Sequence, residues 1–135
     1  MKILKATEAE VEAILLISRS TPWEKGDYLR RQVAQGHVSV ARDDNEVLGF
    51  AAWNREFFSK PFVWLVIVSA ERRGQGIGNA LFAAIESQCA GSRVYSSTNR
   101  SNTGMQRFLQ RRGYRFAGVV DLDPGDPEVF YYLDT

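Results

Sequence analysis

The chain has 135 residues and a mass of 15.2 kDa, and its 44% hydrophobic and 24% charged residues exclude wholesale disorder, so we expect one domain over residues 1–135. The single cysteine excludes an internal disulfide. The presence of only one cysteine and one histidine also argues against a metal site. A net charge of +1, an N-terminus without a signal-peptide pattern and apolar runs too short to span a membrane indicate a cytoplasmic protein that binds neither nucleic acid nor membrane.

Capping and periodicity patterns predict the element order βααβββαβαββ, which indicates an α/β or α+β sheet covered by helices on both faces. A capping box from Thr7 to Glu10 opens the first helix. Pro22 opens the second helix, and Gly36 ends it. The run 62–68 is β-branched and aromatic, as expected of a strand buried on both faces. The predicted strands are 2–6, 37–42, 47–56, 62–68, 93–97, 114–121 and 128–133, and the later helices are 76–90 and 102–112.

Charge is distributed unevenly along the sequence. Residues 72–115 contain eight arginines and one glutamate, a local charge of +7, whereas residues 116–135 contain five acids and no base. A locally basic segment in a nearly neutral protein indicates a bound anion, and a solvated arginine-rich face is the alternative.

The most informative segment is the glycine-rich turn of residues 69–79, which joins the apolar strand to the next helix. Gly74 and Gly76 admit backbone conformations that other residues avoid, and they let a ligand approach the main chain. The first amides of the helix and its dipole favour a phosphate or pyrophosphate. Arg72 and Arg73 add positive charge.

Two common nucleotide-binding motifs do not fit this turn. It lacks the Gly-Lys-Ser/Thr ending of a Walker loop. The dinucleotide pattern G-x-G-x-x-G fails as well, because Asn79 or Leu81 stands where the last glycine belongs. A nucleotide-binding domain is therefore disfavoured.

The hexapeptide Arg73-Gly74-Gln75-Gly76-Ile77-Gly78 resembles the acetyl-coenzyme A (acetyl-CoA) signature of the GNAT acetyltransferase superfamily, [Arg/Gln]-x-x-Gly-x-[Gly/Ala]. Asn102, followed by the segment 108–114, is similar to the later helix of that family. The order of strands agrees, and the resemblance is strongest over residues 47–118. It implies a single-domain GNAT-like fold with a central, mixed, mostly antiparallel twisted sheet of about seven strands and helices on both faces.

The resemblance also implies acetyl-CoA as the acyl donor, with no metal. The pantetheine arm of acetyl-CoA would pair with the fourth strand, and its pyrophosphate would lie on the amides of the glycine turn. The side chain of Asn102 would reach the same molecule, although an asparagine here is also a typical helix N-cap. The implied binding residues are Val66, Ile67, Val68, Arg73, Gly74, Gln75, Gly76, Ile77, Gly78, Asn79 and Asn102.

The sequence departs from the family at its catalytic positions. Many members have a tyrosine acid seven residues after the asparagine, and here that position is Leu109. The glutamate base of one branch falls near Ser97 on the fifth strand, and that of another branch falls near Phe62. A CoA thiol, with a pKa near 8.5, leaves tolerably as the anion, so the acid is dispensable.

The general base is therefore sought elsewhere. Glu56, at the end of the third strand, is the preferred candidate, and a solvated charge is its alternative interpretation. Tyr114 and Glu128 are weaker candidates. We interpret His37 as structural and Cys89 as a small buried hydrophobe.

The predicted function is acetyl transfer from acetyl-CoA to a primary amine of a small molecule or peptide, by direct attack in a ternary complex. The alternative is a non-catalytic acyl-CoA-binding or sensor module. Acidic residues near the C-terminus could attract a cationic amine, and an exposed Phe57-Phe58 pair gives slight support for a homodimer. Aromatic residues available for an acceptor pocket are Trp23, Tyr28, Trp53, Phe57, Phe58 and Trp64.

Overall fold

The structure is a computed structural model, and it describes residues 1–21 and 26–135. The predicted order of elements is confirmed. Pro22 and Trp23 lie outside the described residues, so the predicted start of the second helix does too. The strands are β1 (Lys2–Lys5), β2 (Val38–Asp43), β3 (Glu46–Phe57), β4 (Lys60–Val68), β5 (Arg93–Asn99), β6 (Arg115–Val120) and β7 (Glu128–Asp134). The helices are α1 (Val11–Ser18), α2 (Gly26–Ala34), α3 (Ile77–Gln88) and α4 (Thr103–Arg111), and single 3-10 turns cover Glu8–Glu10 and Ala70–Arg72.

The seven strands form one sheet in the order β1-β2-β3-β4-β5-β7-β6. The pairs β1–β2, β2–β3, β5–β7 and β6–β7 are antiparallel, and β4–β5 is parallel. The predicted α/β fold with a mixed, mostly antiparallel sheet is therefore confirmed.

The chain forms two compact units, and β3 and β4 run through both. The first unit comprises Met1–Trp53 and Leu65–Gln88, and the second comprises Asn54–Trp64 and Cys89–Thr135.

The first unit contains the predicted capping box. The Thr7 hydroxyl accepts a hydrogen bond from the amide of Ala9, and the Thr7 amide donates to the Glu10 carboxylate at 2.8 Å. This bonding satisfies backbone groups that the start of a helix leaves open. The helices then bury apolar side chains at helical spacing, among them Val11, Ile14, Leu15, Leu29 and Val33.

The second unit is built on the β5–β7 ladder, which pairs residues from Arg93↔Asp134 to Asn99↔Glu128. The sequence predicts that β5 ends at residue 97, but pairing with β7 extends the strand to Asn99. Leu109 of helix α4 is fully buried. Other buried residues of the unit are Val63, Val94, Tyr114, Val129 and Tyr131.

Strand β6 ends the strand order and contains a β-bulge. Phe116 pairs with Tyr131 and Gly118 with Phe130, so Ala117 is an extra residue in the ladder. Phe116, Val119 and other apolar side chains of this strand remain exposed.

The prediction that β4 is buried on both faces is wrong. Val63 and Ile67 are buried, but Phe62, Trp64 and Val66 are only half-buried. Because side chains alternate along a strand, one face of β4 points into the core and the other remains partly accessible. Among the described residues, no helix combines the length and apolarity needed to cross a membrane.

Candidate active site

The glycine turn has the backbone geometry that its sequence predicts. Gly74 has φ +80° and Gly76 has φ +79°, a region that favours glycine. A Cβ built at either residue meets no atom within 4 Å. These glycines are therefore needed for the backbone conformation and not for packing, and their surface is open to a ligand.

Helix α3 begins directly after this turn. Its first helical hydrogen bond runs from the amide of Ala80 to the carbonyl of Gly76 at 3.0 Å. The amides of Ile77 and Gly78 precede that bond and have no partner within the helix. The side chain of Ile77 is buried and anchors the turn, whereas Arg73, Gly74, Gln75, Gly76 and Asn79 are exposed.

Gly49 on β3 is a supporting residue that sequence reasoning missed. A Cβ at this position would lie 3.0 Å from the carbonyl oxygen of Ile67, 3.2 Å from the Cα of Val68 and 3.3 Å from a side-chain carbon of Ile77. Only a glycine lets β3 approach both the end of β4 and the start of α3. A lone glycine inside a predicted strand is the signal that could have found it.

The two arginines of the turn differ in their environment. Arg72 forms a forked ion pair with Glu46, in which Nε donates at 3.1 Å, and this hydrogen bonding raises the pKa of the guanidinium. Two of the three guanidinium nitrogens of Arg72 therefore bond Glu46, which leaves fewer of its donors for an anion in the turn. The hydroxyl of Ser69 donates to Glu71 at 2.8 Å and holds the pKa of that carboxyl below its usual value. Arg73 is exposed.

Asn102 lies in the second unit and caps helix α4. Its Oδ1 accepts a hydrogen bond from the amide of Met105 at 3.0 Å. The preceding turn is held by Asp126, whose carboxylate accepts from the Ser101 hydroxyl at 2.6 Å and from the Ser101 amide at 2.9 Å. These two bonds lower the pKa of Asp126, so its charge persists in mild acid. The N-cap interpretation of Asn102 is thus confirmed, and Nδ2 of the same side chain is a donor.

The position of the family tyrosine is a core position here. Leu109 is fully buried on α4, where it packs as an apolar residue. Tyr114, one of the weaker candidate bases, is 4% exposed and is likewise part of the core. Neither residue presents an acid or base to solvent.

Two carboxylates of the second unit have different surroundings. Glu56 is exposed at the end of β3, and the side-chain Nδ2 of Asn54 donates to its carboxylate at 3.2 Å. Glu128 is half-buried at the start of β7, and the hydroxyl of buried Ser97 donates to it at 2.7 Å. Ser97 stands near the position where one branch of the family has a glutamate base. In this chain a carboxylate reaches Ser97 from the neighbouring strand β7, where Glu128 lies directly opposite Asn99 of β5.

The remaining sequence candidates are structural. Cys89 is buried as predicted, and Nδ1 of His37 makes a 3.1 Å hydrogen bond with the side chain of Gln32. Across residues 1–21 and 26–135, no cluster of three or more His, Cys, Asp or Glu side chains is arranged to hold a metal ion.

Comparison with known proteins identifies the family. The sequence model described as "Acetyltransferase (GNAT) family" matches residues 8–114. The chain therefore belongs to the GNAT acetyltransferase family, and the strand–turn–helix around Gly76 lies inside the matched region. No curated protein matched the chain.

Solved structures agree with this assignment. The chain is similar to a GNAT-family acetyltransferase of Bacillus cereus ATCC 10987, with 28% identity, a TM-score of 0.86 and coverage of 99% of this chain and 96% of that one. It has the same fold as Arabidopsis thaliana Naa50 in complex with the bisubstrate analogue CoA-Ac-MVNAL, at 16% identity, TM-score 0.77 and 96% coverage of both chains. It also has the fold of the Escherichia coli ribosomal-protein-S18-alanine N-acetyltransferase, at 15% identity, TM-score 0.79 and coverage of 98% and 92%.

Proposed function

We propose that this protein transfers the acetyl group of acetyl-CoA to a primary amine, which attacks directly in a ternary complex. The observation that carries the proposal is the open turn of Gly74 and Gly76, both at positive φ, immediately before the amides that begin α3. Backbone donors at a helix start are suited to a pyrophosphate, and exposed Arg73 adds a full positive charge.

The proposed acetyl-CoA-binding residues form two short segments and one separate residue. The backbone of the β4 end (Val66, Ile67 and Val68) pairs with the pantetheine arm, and the turn from Arg73 to Asn79 holds the pyrophosphate. Gly49 supports both segments, because it admits the close approach of β3. Asn102 is the separate residue, and its Nδ2 is the donor in this role while Oδ1 caps α4.

The chemistry requires a neutral amine. A lysine-type amine with a pKa of about 10.4 is neutral in about one molecule in 2,500 at pH 7, so a proton acceptor helps. In the proposed step the amine nitrogen bonds to the thioester carbon, the C–S bond breaks, and the amine proton passes to Glu56, directly or through water. The CoA thiolate leaves as the anion, which suits a helix α4 that carries Leu109 instead of a tyrosine.

The first experiment is isothermal titration of the purified chain with acetyl-CoA, with ATP and NAD as controls. We expect selective micromolar binding of acetyl-CoA, followed by thiol release that depends on an added amine. Failure to bind acetyl-CoA after removal of carried-over ligand would overturn the proposal. Binding without thiol release across an amine panel would instead identify an acyl-CoA-binding module.

We also propose that the protein forms a homodimer. The side chain of Phe58 is 83% exposed, which supports association of two copies through the β3–β4 turn. Light scattering on the wild type and on Phe58→Ser tests it, because only the wild type should form a dimer.

A further inference from the structure

One face of the second unit carries a row of acidic and aromatic side chains. Along β7, Glu128, Phe130, Tyr132 and Asp134 alternate with inward residues and therefore share a face. Opposite residues of paired strands also share a face, so Ser97 stands beside Phe130.

The aromatic rings of this face are in mutual contact. The ring of Phe130 is stacked on Phe57 at 5.7 Å and on Phe62 at 5.8 Å, and Phe57 meets Tyr95 edge-on at 5.3 Å. All four rings are only half-buried. We call Phe57, Phe62, Tyr95 and Phe130 the aromatic patch.

One end of the β7 row already binds a cation. The Arg93 guanidinium lies 3.9 Å from the centre of the Tyr132 ring, and its Nε donates to Asp134 at 2.7 Å. A carboxylate and the aromatic ring two residues away therefore hold one positive group between them.

The other end repeats this arrangement without a protein cation. Glu128 and Phe130 have the same two-residue spacing, about 7 Å along the strand. Among residues 1–21 and 26–135, no basic side chain forms an ion pair with Glu128, which is held instead by the Ser97 hydroxyl at 2.7 Å. Residues 116–135 carry five acids and no base, so the surroundings favour a cationic ligand.

Trp64 extends the aromatic row of β4 beyond Phe62. Trp64 follows Phe62 at the i+2 position of β4, and their rings are 6.2 Å apart. Its Nε1 is buried, and within the part of the chain that the structure describes it has no hydrogen-bond partner. Buried donors are nearly always satisfied, by protein, by water or by a bound molecule.

From this geometry we infer that Glu128 and the aromatic patch form the acceptor site, and that the acceptor is a primary amine joined by a short spacer to an aromatic or flat apolar group. The ammonium lies at the Glu128 carboxylate, and the apolar group lies on Phe130 and its neighbours. This inference rests on the proposed acetyl transfer and names its acceptor class. Glu128 is a binding residue in this scheme, since it contacts the amine itself, and the proton that the amine loses passes through water to Glu56.

The probe is 2-phenylethylamine, titrated into the full chain with and without saturating CoA. n-Propylamine lacks the aromatic ring, so it measures what the ring contributes to binding. 3-Phenylpropanoate keeps the ring but carries a negative charge, so it measures what the positive charge contributes. We expect 2-phenylethylamine to bind at least about tenfold more tightly than either. Equal binding of the two amines, or no binding of 2-phenylethylamine in either condition, would overturn the inference.

Four variants assign the contacts. Glu128→Gln retains an acceptor for Ser97 but loses the charge, and it should raise the KM for 2-phenylethylamine at least about tenfold with a smaller effect on kcat. Phe130→Leu should remove the preference for the ring and leave n-propylamine unaffected. Asp134→Asn is the matched control, a carboxylate on the same strand and face, and should keep the wild-type KM. A wild-type KM in Glu128→Gln together with a raised KM in Glu56→Gln would place the amine at Glu56 instead.

The acetyl-CoA titration keeps the two proposals separable. If acetyl-CoA binds and other amines turn over while ring-bearing amines show no advantage, only the acceptor inference fails. If acetyl-CoA does not bind, the proposed acetyl transfer fails, and the titrations without CoA still decide whether Glu128 and the aromatic patch bind an amine.

Discussion

A carboxylate placed in the glycine turn should weaken acetyl-CoA binding more than about tenfold while the protein still folds. In Gly76→Asp, the new Cβ points into open space, so packing is undisturbed. Each carboxylate–phosphate charge pair at about 5 Å costs roughly 0.8 kcal/mol at the dielectric constant of water and roughly 3 kcal/mol at an effective value of 20. Two pyrophosphate charges therefore cost about 2–6 kcal/mol, a loss in affinity of more than about tenfold. The exposure of the turn favours the lower end of this range.

Gly91→Asp is the matched control, because Gly91 has φ +86° and an equally open Cβ direction but follows the other end of α3. Both variants place aspartate at positive φ, with a similar strain of about 1–2 kcal/mol. The helix dipole favours the charge at residue 76 and opposes it at residue 91 by about 0.3–1 kcal/mol each. Gly76→Asp should thus be at least as stable as Gly91→Asp in thermal unfolding. Only Gly91→Asp, however, should bind acetyl-CoA with the wild-type affinity in calorimetry. Equal affinities of the two variants would refute the pyrophosphate assignment.

Three further predictions concern supporting residues. Gly49→Ala forces a methyl group against the β4 backbone, so it should lower the free energy of unfolding by about 1–3 kcal/mol and weaken acetyl-CoA binding; an unchanged melting temperature and affinity would contradict the close approach. Asn102→Ala should lose the cap, about 1 kcal/mol, and acetyl-CoA affinity, whereas Asn102→Asp should keep the cap and lose only the affinity in paired urea and calorimetric measurements. The Ser101 bonds lower the native pKa of Asp126, so their stabilisation is complete above the ordinary aspartate pKa of about 3.9 and declines as pH falls through the native value. Urea unfolding at pH 5 and pH 2.5 should therefore show a smaller acid-induced loss in Asp126→Asn than in the wild type, and equal losses would contradict this linkage.

Local features of this chain could be predicted because their causes lie within a few residues. The capping box at Thr7 needs only Glu10, and the turn at Gly76 needs only a residue that accepts positive φ before a helix. The order of helices and strands along the chain was predicted from local capping and periodicity patterns of the same kind. The predicted end of β5 was two residues too early, because Thr98 and Asn99 belong to the strand only through their pairing with β7.

Other features depend on contacts between residues far apart in the sequence. Arg72 pairs with Glu46, 26 positions away, so the sequence could not show this ion pair. The close approach at Gly49 depends on where β4 and α3 pack. The hydrogen bond of Glu128 with Ser97 depends on the register of two strands, which a single sequence does not specify.

The bulge of β6 affects how this protein behaves at high concentration. A regular edge strand exposes a row of amides and carbonyls that can pair with another chain, and exposed apolar side chains strengthen such pairing. Here the extra residue Ala117 interrupts the row between Phe116 and Gly118, so an incoming strand finds only short uninterrupted stretches. The bulge thus protects the molecule against edge-to-edge aggregation while the strand retains its exposed Phe116 and Val119. Deletion of Ala117 would give a regular ladder with the same partners and would remove that protection.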